Sequence, residues 1–357
     1  VNPDQAAPLL ATDTPDGQGQ PARLSSWLAE HLPASPPLRY ELIAAGGSNL
    51  TYRVVDRHSN QWALRRPPMA HALATAHDMS REWRIMSALA PNPAVPVPQC
   101  LAFCDDSEVI GAAFYVMSFV DGLILRDRAS TGQMTAAQAL AATQSLVKVQ
   151  VAMHTIDLYE AGLQDLGRHQ DYVGRQLKRW RRQVAQGGTR QLPLHEQLHD
   201  LLLAKMPPET ARPALAHGDY RFDNCVLGPD FEVMAVLDWE LGTTGNPIAD
   251  FVWSLQYWGE PGDELTFLPE PPTFNPVFMR RQQYLELYQQ QSGFDLSDLP
   301  YYQVFSWWKQ ASIVEGAYAR RLAGATGGMA TGGDVHEIAK RVDAMLRQAA
   351  DWADSWL

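Results

Sequence analysis

Three polar residues, Asp219, Asn224 and Asp238, stand at the ends of short apolar runs. The stretches are Leu215-Ala-His217-Gly-Asp219-Tyr-Arg-Phe-Asp-Asn224-Cys-Val-Leu227 and Val233-Met-Ala-Val-Leu-Asp238-Trp-Glu240. Strands that end in this way deliver side chains to the floor of a cleft. An Asp, an Asn five residues on, and an Asp-Trp-Glu beyond a turn (Gly228-Pro-Asp230) and a strand match the needs of phosphoryl transfer. That reaction asks a protein to orient a hydroxyl and to hold Mg²⁺ against nucleotide phosphates. Asp219 is expected to accept the hydroxyl proton. Asn224 offers a neutral oxygen to one metal, and Asp238 brings full negative charge to the metals bridging the phosphates. Hard oxygen ligands, few of them from protein, suit magnesium.

The run resembles the aminoglycoside phosphotransferase family, kinase-like enzymes with His-Gly-Asp in place of the protein-kinase His-Arg-Asp. Within it, Trp62-Ala-Leu-Arg-Arg-Pro-Pro68, Phe114-Tyr-Val-Met117 and Val236-Leu-Asp-Trp-Glu-Leu-Gly-Thr243 look most like the subgroup fused to acyl-CoA dehydrogenases in eukaryotes. The likeness runs from about Leu38 to Arg321. It implies a two-lobed α+β fold: a small antiparallel-sheet N-lobe with one key helix, and a larger, mainly helical C-lobe. It also implies ATP and Mg²⁺ as cofactors and a small-molecule hydroxyl as acceptor. By subgroup the acceptor is a hydroxyacyl-CoA or hydroxy acid, whereas the family name suggests an aminoglycoside. Asp250 matches a position that braces the catalytic loop. Adenine would rest against the backbone of residues 117–119, with Met117 guarding the pocket.

The first strands carry the nucleotide side of this reading. Tyr40–Ala45, Leu50–Asp56 and Gln61–Arg66 read as strands, with Gly46-Gly47-Ser48-Asn49 as a tight loop between the first two. A glycine pair lets backbone N–H groups approach phosphates, so residues 46–49 are assigned as a nucleotide lid. Strand alternation puts Ala63 and Arg65 on one face and Leu64 and Arg66 on the other. The family pattern places a lysine where Arg65 stands. Arginine keeps the charge and grips phosphate bidentately, although with different geometry. This departure also motivates a rival reading, a nucleotide-binding pseudokinase that serves as an interaction module. In a helix over His77–Leu89, Glu82 shares a face with Ile85, Met86 and Leu89, so it should point inward and needs a cation. Arg65 is that cation, and Arg81 and Arg84 offer a surface alternative.

These elements divide the chain into a mobile arm (1–21), an N-lobe (22–118) and a C-lobe (119–357). A short helix is expected around Leu24–Leu28, strands at Gln99–Cys104 and Ala112–Met117, and a long helix over Thr135–His154 that ends in a structural histidine. Helices are further expected at 172–186, 194–205, Phe251–Tyr257, Pro276–Gln291, Tyr301–Ala323 and Val335–Trp356. Two segments admit functional readings beyond the core motif. Residues 172–186 hold Arg175, Lys178, Arg179, Arg181 and Arg182, a solvated face or an anion site; Arg175, Gln176 and Trp180 resemble positions recurring in the subgroup. The Pro-rich stretch 257–274 carries Glu260, Asp263, Glu264 and Glu270, which would suit an amine-bearing ligand if it closes as a lid and carry no such meaning if it is a solvated insertion.

Composition bounds the rest. The 357 residues are 46% hydrophobic, enough for a substantial core. A net charge of −11 argues against a nucleic-acid partner. No apolar run approaches membrane-spanning length, and Val1-Asn-Pro-Asp lacks the regions of a signal peptide. Cys100, Cys104 and Cys225 cannot all pair, so free buried thiols and a cytoplasmic setting are expected. Trp307, Trp308, Tyr318, Trp352 and Trp356 read as core or as the seam of a homodimer.

Overall fold

The computed structural model describes residues 20–45, 49–68, 72–168, 170–209, 212–324 and 334–356. Gly46, Gly47 and Ser48, and the arm through residue 19, lie outside these described residues. The chain divides into two compact units: the first runs to Asp121 and also takes in Asp238–Glu240, and the second holds most of the remainder. Asp238 was assigned from sequence to the C-lobe, and the structure groups it with the first unit. There it pairs with Arg65.

The first unit opens with α1 (Gln20–His31), which begins inside the expected arm and is longer than the helix expected around Leu24. Five antiparallel strands follow: β1 (Arg39–Ala45), β2 (Leu50–Val55), β3 (Gln61–Arg66), β4 (Cys100–Cys104) and β5 (Phe114–Ser118). Their order across the sheet is β1-β2-β3-β5-β4. Alternation sorts the strand residues into two faces. Tyr52, Val54, Trp62, Leu64, Phe114 and Val116 join Leu24 and Leu28 of α1 in one buried cluster. The opposite face carries Thr51, Ala63, Arg65, Tyr115 and Met117, and register places Arg65 directly across from both Thr51 and Tyr115. Helix α2 (Ala72–Leu89) starts five residues before the expected His77 and buries Ile85, Met86 and Leu89. Arg66 does not reach solvent either: it is 2% exposed, with its guanidinium over the Tyr52 ring.

The second unit is mainly helical: α3 (Ala136–Thr155), α4 (Tyr172–Gly187), α5 (Pro193–Ala204), α6 (Pro247–Leu255), α7 (Arg281–Ser292), α8 (Leu299–Leu322) and α9 (Val335–Trp356). Thr135 starts α3 with a capping box in which its side chain and that of Gln138 satisfy each other's backbone N–H groups. Helix α6 begins four residues before the expected Phe251, because Asn246 caps the Ile248 and Ala249 N–H groups and Pro247 occupies the first turn. Two two-stranded ladders lie among the helices, β6 (Ala214–Ala216) with β9 (Thr243–Gly245) and β7 (Cys225–Leu227) with β8 (Val233–Val236). Much of the aromatic content is spent inside this unit. Phe251 stacks on Tyr288 at 3.7 Å, and the fully buried Trp308 stacks on His195 and donates its N–H to the His195 carbonyl. Trp307 packs edge-on against Phe267, and Trp356 against Tyr301. All three cysteines are free, with Cys104 and Cys225 buried and Cys100 partly so. Among the described residues no helix is long and apolar enough to cross a membrane.

Candidate functional site

In the first unit the site face of the sheet is organised around Glu82. Its side chain is fully buried, and it accepts from Arg65, Tyr115 and Asn49. Arg65 Nε reaches Oε2 at 2.8 Å and Arg65 Nη2 reaches Oε1 at 3.1 Å, while the Tyr115 hydroxyl donates to Oε2 at 2.5 Å. Asn49 Nδ2 approaches Oε1 at 3.4 Å. A carboxylate accepting from all sides satisfies every one of these groups, although burial pushes the Glu82 carboxyl up from its ordinary value and Arg65 opposes that rise. The surface pairing with Arg81 or Arg84 is therefore not Glu82's main engagement. Burial also pushes the Tyr115 hydroxyl far above its usual value, so it stays a donor.

Arg65 has a second acid. Its Nη2 donates to Asp238 Oδ1, so one guanidinium spans both carboxylates. Asp238 sits at φ +65°, in the left-handed region where a non-glycine residue is strained. Asn49 does the same from the loop side, donating to Glu240 Oε2 at 2.9 Å as well as to Glu82. Glu82, Asp238 and Glu240 each bring a carboxylate oxygen within 4.8 Å of the others, a grouping that could hold a cation. Met117 lies on the same face in β5, 6% exposed and across from Ala63. Of the backbone groups expected to meet an adenine edge, the Ser118 N–H is already committed to the Gln99 carbonyl at 2.9 Å.

The second unit holds the His217-Gly-Asp219 loop in place from below. Asp250 Oδ1 accepts the Gly218 N–H at 2.8 Å, and Oδ2 accepts the His217 N–H at 3.2 Å and meets His154 Nε2 at 3.0 Å. Burial works against the Asp250 charge, yet the His154 and Gly218 bonds hold its carboxyl below the ordinary value. His154 is thus a structural link, and its Nδ1 meets the Tyr288 hydroxyl at 2.6 Å. Gly218 is required by conformation and by space: its φ is +83°, and an added Cβ would lie 2.8 Å from Leu241 Cβ. The His217 ring bridges the Asp219 N–H at Nδ1 and the Leu237 carbonyl at Nε2. Accepting at Nδ1 leaves Nε2 as the nitrogen that donates to the Leu237 carbonyl.

Asp219 is the most heavily engaged group of this loop. Tyr257 donates to its Oδ1, and Asn224 Nδ2 to its Oδ2 at 3.0 Å. Arg221 Nε approaches Oδ2 at 3.4 Å while its guanidinium stacks over the Tyr257 ring. Asn224 Nδ2 also donates to the Asp219 carbonyl at 2.8 Å. With its amide nitrogen so anchored, Asn224 has Oδ1 as the atom to offer a cation, which fits the donor chemistry of Mg²⁺. Beside this loop a small recess, with room for about 20 Å³ of water-sized occupancy, is lined by Leu125, Leu146, Phe222, Trp258, Leu268 and Tyr284, along with Arg221 and Tyr257.

Sequence reasoning did not assign Tyr115, Tyr257, Arg221 or Glu240. Tyr115 could have been found from strand register, as the residue facing Arg65, whereas Tyr257 reaches Asp219 from 38 positions away with no sequence signal. In the acidic stretch 257–274, Glu260 and Asp263 are paired. Arg281 pairs with Asp263 and Glu260, Arg280 with Glu260, and Asp263 caps the Glu260 N–H. The basic helix α4 is tied in part as well: Arg181 pairs with Glu196, and Arg175 donates to the Arg168 carbonyl.

A five-stranded antiparallel sheet with one acid-bearing helix, followed by a helical unit with a His-Gly-Asp loop, is the two-lobed α+β fold of kinase-like phosphotransferases. Residues 39–288 match the phosphotransferase enzyme family, and the chain belongs to that family. A solved protein from Ralstonia eutropha JMP134, described as an aminoglycoside phosphotransferase, is 31% identical and superposes with a TM-score of 0.76 over 93% of this chain and 98% of its own. A phosphotransferase solved with streptomycin and ATP shares the fold at 13% identity, with a TM-score of 0.58 over 85% of this chain and 96% of its own. Acyl-CoA dehydrogenase family member 10 of mouse is 34% identical over 86% of this chain, and family member 11 of chicken 32% identical over 92%. The chain spans 28% and 43% of the length of those two relatives.

Proposed function

We propose that the chain transfers the γ-phosphoryl group of ATP to a hydroxyl of a small molecule. The observation that carries this reading is the locked pair of Asp219 and Asn224, whose loop is held by Asp250 and His217 so that a carboxylate and an amide oxygen are presented together. Asp219 orients the acceptor hydroxyl and takes its proton. Arg65, steadied by Glu82, grips the nucleotide phosphates in place of the family's lysine, and residues 46–49 cover them. Met117 guards the adenine. Mg²⁺, held by Asn224 and Asp238, would supply neutralising charge to those phosphates.

The acceptor favoured is a hydroxy acid or hydroxyacyl thioester rather than a cationic amino sugar. Three features support it: the likeness to chains joined to acyl-CoA dehydrogenases, the internal neutralisation of Glu260 and Asp263, and the apolar lining of the recess beside Asp219. ADP release and product mass, measured with hydroxy acids, hydroxyacyl thioesters and aminoglycosides, test it. Asp219→Asn should abolish turnover while ATP still binds; an Asp219→Asn protein as active as the parent would overturn the assignment.

A further inference from the structure

Glu82 accepts at every position an ionised carboxylate offers, about two on each oxygen. Its side chain is fully buried, so no water shares the task. Arg65 takes one position on each oxygen, through Nε at 2.8 Å from Oε2 and Nη2 at 3.1 Å from Oε1. A neutral donor meets each oxygen as well: the Tyr115 hydroxyl at 2.5 Å from Oε2, and Asn49 Nδ2 at 3.4 Å from Oε1. The same Nη2 continues to Asp238. This pattern needs two donor nitrogens at a fixed separation, which a guanidinium provides. A lysine brings one nitrogen on a flexible stem and would leave part of a fully buried carboxylate unanswered.

The strands fix the remaining members. Register sets Thr51 of β2 and Tyr115 of β5 directly across from Arg65, one on each side. Thr51 Oγ1 accepts from Nη1 at 3.4 Å, and the Tyr115 ring packs against Trp83, the neighbour of Glu82 in α2. With Nε and Nη2 committed to acids, Nη1 is the nitrogen that can turn to a phosphate. We infer that this site is built for arginine and works poorly with lysine, and that Tyr115 is the positioning residue that aligns Glu82, and through it the Arg65 fork, for nucleotide phosphates. The inference rests on the nucleotide reading above and adds to it a physical reason for the departure from lysine.

The test compares the parent chain with Arg65→Lys, Tyr115→Phe and the double variant, by thermal unfolding and by calorimetric titration of ADP and of adenosine, which lacks the phosphates. Arg53→Lys, on the same face of the sheet, controls for exchanging one basic side chain for another. Arg65→Lys should lower the melting temperature where Arg53→Lys does not, and weaken ADP about tenfold while adenosine is unchanged. Tyr115→Phe should weaken ADP about fivefold in the parent and less than about twofold in Arg65→Lys, because the fork it aligns is then gone. An Arg65→Lys chain as stable and as avid for ADP as the parent overturns the match to arginine. Equal effects of Tyr115→Phe in the two backgrounds, or an adenosine loss as large as the ADP loss, overturn its positioning role. Should Arg65→Lys fail to fold, Tyr115→Phe alone decides that role by its split between ADP and adenosine. A parent that binds neither ligand would strike the nucleotide reading and the positioning role together, while the melting temperatures still decide the match to arginine.

Discussion

Tyr257 and Asp219 share a hydrogen bond of 2.5 Å, the phenol donating to Oδ1. Burial and the Asp219 charge hold the phenol far above its usual titration range, so it remains a donor at every working pH. Tyr257 therefore fixes the carboxylate as a positioning residue. Tyr257→Phe should lower kcat by about tenfold, within the range that misplacement of a catalytic group costs, with KM for ATP unchanged. Steady-state kinetics with ATP and acceptor varied separately check the split; equal loss in both parameters would point to a merely structural role.

Arg65 answers for the charge of a fully buried acid. Arg65→Ala leaves Glu82 with hydroxyl and amide donors only, and should cost about 3–5 kcal/mol, the usual penalty for stranding one member of a buried pair. Adding Glu82→Gln to that variant should recover part of the loss. Urea unfolding of the two variants beside the parent measures both effects.

His195 sets an acid limit. Burial brings its imidazole down from 6.5 to about 4, and Nε2 meets the Ser312 hydroxyl at 2.9 Å. Between those values the unfolded chain binds a proton that the folded chain refuses, so stability rises with pH across this window and is lost as pH falls from 6.5 toward 4. His195→Gln should flatten that slope in melting temperatures taken from pH 7 to pH 4.

Gly218 offers the sharpest test of the loop. A methyl group there must displace Leu241 and sit at a positive φ, so Gly218→Ala should destabilise by about 1–3 kcal/mol and depress turnover. Activity lost without any fall in melting temperature would place the damage in the loop alone.

Much of the frame could be read from residue order. The three first strands, α2 and the pairing of Glu82 with Arg65 follow from alternation and from the cost of an unpaired buried acid. Helix starts were less legible: α6 opens early because Asn246 and Pro247 form a cap that apolar periodicity does not register. What sequence could not give was closure over distance. That Tyr257 would bond Asp219, or that Glu260 and Asp263 would be answered by Arg280 and Arg281, depends on how irregular segments return to the core.

The bridge that Arg65 makes to Asp238 joins positions 173 residues apart. During synthesis on the ribosome, the sheet and α2 emerge well before the acid that completes their charge pairing. A fragment ending at Asp121 would carry a guanidinium with one of its two carboxylates missing. Asp238–Glu240 joins the first unit only after more than a hundred residues of its neighbour have been made.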